Sequence, residues 1–382
     1  MGRWRSMRGR GVIALVVACA VAMCALGSCA STAGGGSGSS SASSASAKSG
    51  DFSYWNADSA SLAELTSFVE AATDEGGDGY IPPEDRIVTF DMDGTLLSET
   101  VPASFIDTSF MHYVHDDSDP SRFSDEVRQV ADGAWAKLEE GDSDASYEMT
   151  MDVWAQAYAG MTVDELRSYT DSRTQLDAEG FSGMTYKESF YKPMLQVIEY
   201  LQANDFTVYV VTGTERTMAQ ELTKGVLNVP TTNVMGSDVQ IVATGQGDAS
   251  GDGYQLASDD QIVLGGAAIK QLKQLNKVTT IVNEIGKQPV LAFGNTAGDQ
   301  SMLDYAITNN AYPAKAFFVL NDDTERDYGN ADEAATKTQL ASDHGWVAIS
   351  MADDFATIYG EGVTKTPIQS SDASEASLAD AA

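Results

Sequence analysis

Apolar positions along the chain follow two rhythms. Four short runs are rich in β-branched and aromatic residues: RIVTF (Arg86–Phe90), FTVYVV (Phe206–Val211), PVLAF (Pro289–Phe293) and AFFVL (Ala316–Leu320). Each reads as a strand, and helical stretches separate them, around Pro193–Asn204 and Ala267–Gly286. Ser61-Leu62-Ala63-Glu64 fits a helix-capping box, with Leu62, Leu65, Phe68 and Val69 following at helical spacing. Pro82-Pro83 then break the chain ahead of the first strand. Strands alternating with helices predict an α/β fold, a parallel sheet with helices on both faces. Residues 98–185 depart from this alternation. They hold amphipathic helical stretches with little strand character, one opened by a second capping box, Thr162-Val163-Asp164-Glu165. The pattern therefore predicts a core formed by residues 52–97 and 186–364, with an all-α cap, 98–185, inserted over one end.

The two ends of the chain follow neither rhythm. MGRWRSMRGR carries four arginines, and the apolar stretch GVIALVVACAVAMCALGS leads into Cys29. A basic start, a short apolar run and a small-residue end predict a secretory signal peptide over residues 1–28. Leu26-Gly27-Ser28-Cys29 resembles a bacterial lipobox, which makes Cys29 the lipidated N-terminus of the mature protein. The run is short for a full membrane span. Residues 29–51, mostly Ser, Gly and Ala, predict a flexible linker, and residues 365–382 a polar, disordered tail. The expected location is the extracytoplasmic face of the cell membrane, held by lipid alone.

Charge narrows the choice of partner. The formal net charge is -33, and loss of the four arginines with the signal peptide takes it to -37. Such a surface excludes nucleic acid and repels anionic lipid. The three cysteines are Cys19, Cys24 and Cys29, so the exported domain has neither disulfide nor thiol chemistry.

The candidate chemistry sits where strands end. In open parallel sheets, ligands bind beyond the carboxyl ends of the strands. Here RIVTF runs into Asp91-Met92-Asp93-Gly94-Thr95, FTVYVV into Thr212-Gly213-Thr214, and PVLAF into Gly294-Asn295-Thr296-Ala297-Gly298-Asp299. Parallel strands bring the three clusters to one edge. Carboxylates gathered there repel one another unless a cation intervenes, and an all-oxygen donor set suits Mg²⁺.

Asp-x-Asp-Gly-Thr after one strand, Thr-Gly after a second, a lysine, then Gly-Asn-x-x-Gly-Asp resembles the haloacid dehalogenase superfamily, closest to its phosphoserine-phosphatase-like branch. Trp55-Asn56, Asn321–Arg326 and Gly345–Met351 extend the resemblance over roughly residues 53–360. It implies a Rossmann-like core with an inserted helical cap. It also implies a Mg²⁺-dependent phosphatase that hydrolyses a small phosphorylated substrate through an aspartyl-phosphate. In that pattern Asp91 is the nucleophile, and Asp93 is the acid/base that also offers its backbone carbonyl to the metal. Thr212 and Gly213 bind the phosphoryl group. Lys277, chosen over Lys270, Lys273 and Lys287, binds it too and holds Asp91 ionised. Asn295 stands where many members have aspartate, and either Asn295 or Asp299 contacts the metal.

Other candidates are weaker. Glu99, at the exit of the first motif, reads equally as a substrate contact and as a solvated carboxylate. His112, His115 and His344 are too scattered for a zinc site, and Phe105, Phe110, Tyr113 and Trp154 read as cap core. Asp322, Asp323 and Arg326 match the family but read as a structural network. Transfer of the phosphoryl group to an acceptor other than water, and a non-catalytic solute-binding lipoprotein, are the alternatives in function. Oligomeric state is not legible.

Overall fold

The computed structural model describes residues 47–98, 104–116, 119–140, 142–150 and 153–367. The signal peptide, Cys29, most of the linker, Glu99 and the last fifteen residues lie outside them. In chain order the elements are α1 (Ala60–Thr73), β1 (Ile87–Phe90), α2 (Phe105–His115), α3 (Asp125–Glu139), α4 (Ser143–Thr150), α5 (Trp154–Ala157), α6 (Val163–Thr174), β2 (Phe181–Ser182) and α7 (Lys192–Ala203). There follow β3 (Thr207–Glu215), α8 (Arg216–Thr223), β4 (Val234–Ala243), β5 (Ile262–Lys270), α9 (Leu275–Thr280) with a π-helical turn (Ile281–Ile285), and β6 (Leu291–Gly294). The chain continues through α10 (Gln300–Ile307), β7 (Lys315–Leu320), α11 (Ala331–His344), β8 (Val347–Ser350), α12 (Met351–Asp354) and β9 (Thr364–Lys365).

Seven strands form one sheet in the order β5-β4-β3-β1-β6-β7-β8. All neighbours are parallel except the edge pair β4–β5. Period-two alternation assigns side chains to the two faces. In β7, Phe317 and Val319 join the core built with α1 and α7, while Phe318 and Leu320 join the core built with α10 and α11. Burial on both faces is why these strands read as unbroken apolar runs. At the centre, Phe90, Phe293 and Phe317 of three neighbouring strands stack in a ladder, with centroids 4.4 and 4.8 Å apart. The chain leaves β1 on one side for β3 and later returns on the other to β6. Their carboxyl ends flank that of β1, which is the crevice position expected of a doubly wound sheet.

Helices α2–α6 bury Phe110, Met111, Val127, Trp154 and Leu166 in a cluster that also takes in Met218, Val239 and Leu264. Phe105 joins the main core instead, and Tyr113 packs half-buried beside the cap core. Thr162 and Glu165 form the reciprocal capping box that their spacing predicts.

Four expectations need correction. Helix α1 is capped by Ser59, whose hydroxyl accepts from Leu62 N at 3.1 Å, while the Ser61 hydroxyl donates to Asp354. The stretch expected to be helical from Ala267 is instead the end of β5, paired antiparallel with β4, and helix resumes at Leu275. Gly265-Gly266 disfavours helix, and Leu264 exchanges backbone hydrogen bonds with Gly160 and Met161 of the cap. The cap segment is not all-α: β2 lies at its end, with Phe181 in the main core. Its partner is β9, so pairing continues to Lys365, and Thr366 N donates to Gly180 O, inside the stretch read as tail. Among the described residues, no helix is long and apolar enough to cross a membrane.

Candidate functional site

β1 delivers Asp91 to the carboxyl edge, where its backbone N–H donates to Phe293 O at 2.9 Å and continues the sheet pairing. The chain then turns at once. Gly94 adopts φ +72°, a conformation that favours glycine, and donates to Leu97 O at 2.8 Å. Met92 points into the core, fully buried, so Asp91 and Asp93 flank it toward the cavity.

Lys277, from α9, is 3% exposed and lies between two carboxylates. Its ammonium donates to Asp91 Oδ1 at 2.5 Å and to Asp299 Oδ1 at 2.6 Å. Asp299 Oδ2 accepts from the backbone N–H groups of Asn295 (3.1 Å) and Thr296 (3.0 Å). This contact needs Gly294 to be glycine, because a Cβ there would fall 2.6 Å from that of Asp299. Asn295 is fully buried; its amide nitrogen donates to Asn321 Oδ1 at 3.2 Å and its oxygen accepts from the Thr95 hydroxyl at 3.3 Å. Asn321 in turn donates to Gly94 O at 3.2 Å, which joins the end of β7 to the turn after β1.

Asp93 is held from β3. Its Oδ2 accepts from the hydroxyls of Thr214 (2.7 Å) and Thr212 (3.1 Å). Its other oxygen, Oδ1, is buried with no hydrogen-bond partner. A buried carboxylate oxygen left bare is costly, and it marks the place where something else must bind or donate. Burial also raises the Asp93 acid above its ordinary pKa, with the two threonine hydroxyls opposing. Asp91 is raised further by burial, then by the charge of Asp299, against the pull of Lys277. Lys277 responds in the other sense: burial would lower it, and Asp299 and Asp91 together outweigh that and raise it. One ammonium therefore does not neutralise this group of carboxylates.

These residues wall a cavity of about 530 Å³. The structure brings Asp91, Asp93, Gly213, Lys277, Asn295 and Asp299 to that wall. Thr212 is close by, but its hydroxyl is turned to Asp93 and also accepts from Thr214 N at 3.1 Å. Gly213 and Thr214 line the cavity, and Thr212 lies just behind that wall. Thr214 was legible from its spacing, two residues beyond Thr212 on the same strand face. Asn321 and Thr95 lie in stretches that carry the family resemblance, but their support of Asn295 is not legible in the sequence. Nor does Asp107 of the cap, which lines the same cavity and is 3% exposed. Burial pushes its acid up to about 6.

Two of the remaining lysine candidates work elsewhere. Lys270 donates to Thr280, Lys287 pairs with Asp85 at 2.7 Å, and Lys273 reaches the cavity from its cap side. His112 lies between Asp116 and Glu179 in the cap, and His344 beside Asp304 near α10. Asp323 and Arg326 form the structural network expected, with Arg326 donating to the backbone of Phe355 and Met351. Asp322 accepts from Ser350 at 2.6 Å.

Residues 88–304 match the family described as haloacid dehalogenase-like hydrolase. This is more than half of the chain, and the chain belongs to that family. No curated protein matches it. Among solved structures it is similar to a protein of unknown function from Anaerococcus prevotii (12% identity, TM-score 0.46), covering 76% of this chain and 91% of that one. It is also similar to cytosolic 5'-nucleotidase IIIB bound to cytidine (14%, TM-score 0.45, 77% and 86%). A third is a probable phosphoserine phosphatase from Vibrio cholerae (11%, TM-score 0.34, 71% and 61%).

Proposed function

We propose that this hydrolase is a Mg²⁺-dependent phosphatase that cleaves a small phosphomonoester through an aspartyl-phosphate on Asp91. The observation that carries the reading is Lys277 bridging Asp91 and Asp299 on the cavity wall, beside an Asp93 that keeps one buried oxygen bare.

The residues present fit a magnesium ion. The donors are all oxygen, and burial, with the charge of Asp299 beside it, holds the Asp91 acid up, which one further cation would offset. Asp299 has both oxygens engaged, by Lys277 and by the Asn295 and Thr296 N–H groups. Asn295 is engaged too, by Thr95 and Asn321, so Asp91 through its carboxylate and Asp93 through its backbone carbonyl would hold the ion together with either Asn295 or Asp299. The bound ion would supply charge neutralisation for the phosphoryl oxygens. Among the described residues, no group of three or more His, Cys, Asp and Glu is arranged to hold a metal.

The protein's own groups account for the rest. Lys277 occupies Asp91 Oδ1, so Oδ2, with only the 3.5 Å Thr95 contact, is the oxygen that attacks phosphorus. As the O–P bond forms, the ester O–P bond breaks, and the leaving alkoxide takes its proton from Asp93. Thr212 and Thr214 hold that carboxyl, and its burial favours the protonated form. Asp93, now ionised, takes a proton from the water that attacks the aspartyl-phosphate, and phosphate and Asp91 are released.

Hydrolysis of an aryl phosphate by the purified protein, with Mg²⁺ and with EDTA, tests this. Turnover that needs Mg²⁺ and is lost in Asp91→Asn supports it. Tight ligand binding without turnover of any phosphate ester would replace it with a binding protein, and phosphoryl transfer to an added alcohol in preference to water with a transferase. The lipid anchor is part of the proposal and rests on the sequence around Cys29. Cys29→Ser should release the protein from membranes; retention of the variant there would overturn the anchor.

A further inference from the structure

Helix α2 walls the cavity from the cap side, through Ile106 and Asp107 in its first turn. Between α6 and α7 the backbone runs out and back as a hairpin. Ala178 N donates to Met184 O at 2.8 Å, and Tyr186 N to Leu176 O at 3.0 Å. Helix α2 rests on this hairpin near both of its ends. The Phe105 ring stands edge-on to Tyr186, with centroids 5.5 Å apart, and His112 Nε2 lies 3.1 Å from Glu179 Oε1. A void of about 20 Å³ remains at the base of the hairpin, lined by Leu97, Phe105, Glu179 and Tyr186 among others. The Tyr186 hydroxyl is buried with no hydrogen-bond partner. This side of the hairpin is therefore not close-packed.

The tip of the hairpin is held differently, by β9. Strand β2 at the tip pairs antiparallel with β9, Phe181 opposite Lys365 and Ser182 opposite Thr364. The Ser182 and Thr364 hydroxyls are 2.7 Å apart, and Thr366 N donates to Gly180 O at 2.8 Å. Gly183 and Gly362 let the two backbones approach: both have positive φ, and a Cβ on Gly183 would fall 2.5 Å from Gly362 O. Strand β9 is in turn fastened to the loop after β7. The Lys365 ammonium donates to Asp327 O at 2.8 Å and to Thr324 O at 3.0 Å, and lies over the Tyr328 ring, 4.2 Å from its centroid. The Tyr328 hydroxyl reaches Gly180 O and Thr366 O. Two strands of two residues each are marginal by themselves, so the pair persists through these anchors.

We propose that β9 is a clasp on the cap, with Lys365 as its positioning residue. Through the hairpin it holds α2 over the cavity, and so sets the size of ester that the cavity admits. The clasp itself is independent of the phosphatase reading; its effect on ester size rests on that reading. When β9 lets go, the hairpin and α2 are freed together and the cavity widens on its cap side.

Two variants of the full chain test this. Lys365→Met removes the ammonium at similar side-chain length, and Thr366→Pro removes the N–H given to Gly180 O. Each is compared with the wild type by amide hydrogen exchange, and by turnover of phenyl phosphate and the bulkier 2-naphthyl phosphate with Mg²⁺. The hydrogen bonds lost correspond to about tenfold in an opening equilibrium. Exchange at Ala178, Tyr186 and the amides of α2 should quicken by about that factor, while those of β1 and β6 keep their wild-type rates. The ratio of kcat/KM for 2-naphthyl over phenyl phosphate should rise by at least about fivefold, chiefly through KM. Unchanged exchange in the hairpin overturns the clasp, and faster exchange there with none in α2 overturns its link to the cavity. Faster exchange in α2 with an unchanged ester ratio overturns the role in specificity. If the wild type cleaves neither ester, the phosphatase reading and the role in specificity fall, and exchange alone decides the clasp. If neither variant folds, the wild type decides it: Thr366, Ala178 and Tyr186 should open together, with protection within about tenfold of one another, and a wider spread overturns the clasp.

Discussion

Replacing Asp107 by Asn should make stability less dependent on pH, and the size of the change follows from the burial of one carboxylate. Asp107 is 3% exposed, and burial raises its acid from 3.8 to about 6. The folded protein therefore holds this proton more tightly than the unfolded chain does. Between those two pH values unfolding releases a proton, so stability falls as pH rises from about 4 to about 6 and is flat on either side. A difference of about two pKa units corresponds to roughly 3 kcal/mol. Asn keeps the shape and can meet the Ser104 and Thr150 hydroxyls with one acceptor and one donor, yet has nothing to ionise. Urea titrations of both proteins in EDTA, at pH 4, 5, 6 and 7, give the difference in unfolding free energy at each pH. Whatever the substitution costs in packing is common to all four points. Relative to wild type, Asp107→Asn should gain roughly 3 kcal/mol between pH 4 and pH 7. A constant difference across that range, or a relative loss, would show that Asp107 is not a desolvated charge. A gain would mean that the fold keeps a destabilising carboxylate at the cavity, which is the usual balance between stability and function.

Other expectations concern the catalytic edge. Lys277→Met leaves Asp91 and Asp299 facing each other in a buried site and should cost about 3–5 kcal/mol in urea denaturation; a loss under 1 kcal/mol would contradict the bridging geometry. EDTA should lower the melting temperature and added Mg²⁺ restore it, through linkage of metal binding to the folded state; identical melting curves would count against the metal. Asp91→Asn should reduce turnover by at least about a thousandfold while leaving the fold intact by circular dichroism, and residual activity within tenfold of wild type would exclude it as nucleophile. Thr214→Val removes the 2.7 Å hydroxyl that favours the ionised form of Asp93, so the Asp93 acid should rise. The upper limb of the kcat–pH profile, where the acid must stay protonated, should then move to higher pH; movement to lower pH would put the acid elsewhere.

Much of this protein was already written in local pattern. Buried parallel strands need unbroken apolar runs, and a turn straight after a strand needs small or polar residues. RIVTF, FTVYVV and PVLAF with their terminal clusters therefore announced both the sheet and the residues at its edge, because both signals span fewer than ten positions. Lys277 was legible only through resemblance, and its two ion pairs, 186 and 22 residues away in sequence, depend on the packing of α9 against α10 and of α10 against β6. The antiparallel β4–β5 pair was missed because Gly265, Gly266, Ala267 and Ala268 carry little side chain to set a period, and pairing across the hairpin chose strand. The contact of the Thr212 hydroxyl with Asp93 is likewise invisible in the sequence, because it joins two strands 119 residues apart. Asp107 looked like an ordinary helix-start acid, since Ser104 three residues before it is a capping signal. What made it part of the cavity was the seating of the cap over the sheet. Apolar periodicity is a property of neighbours along the chain, whereas the charge and solvent around a carboxylate depend on groups from distant segments, and those are set by the fold as a whole.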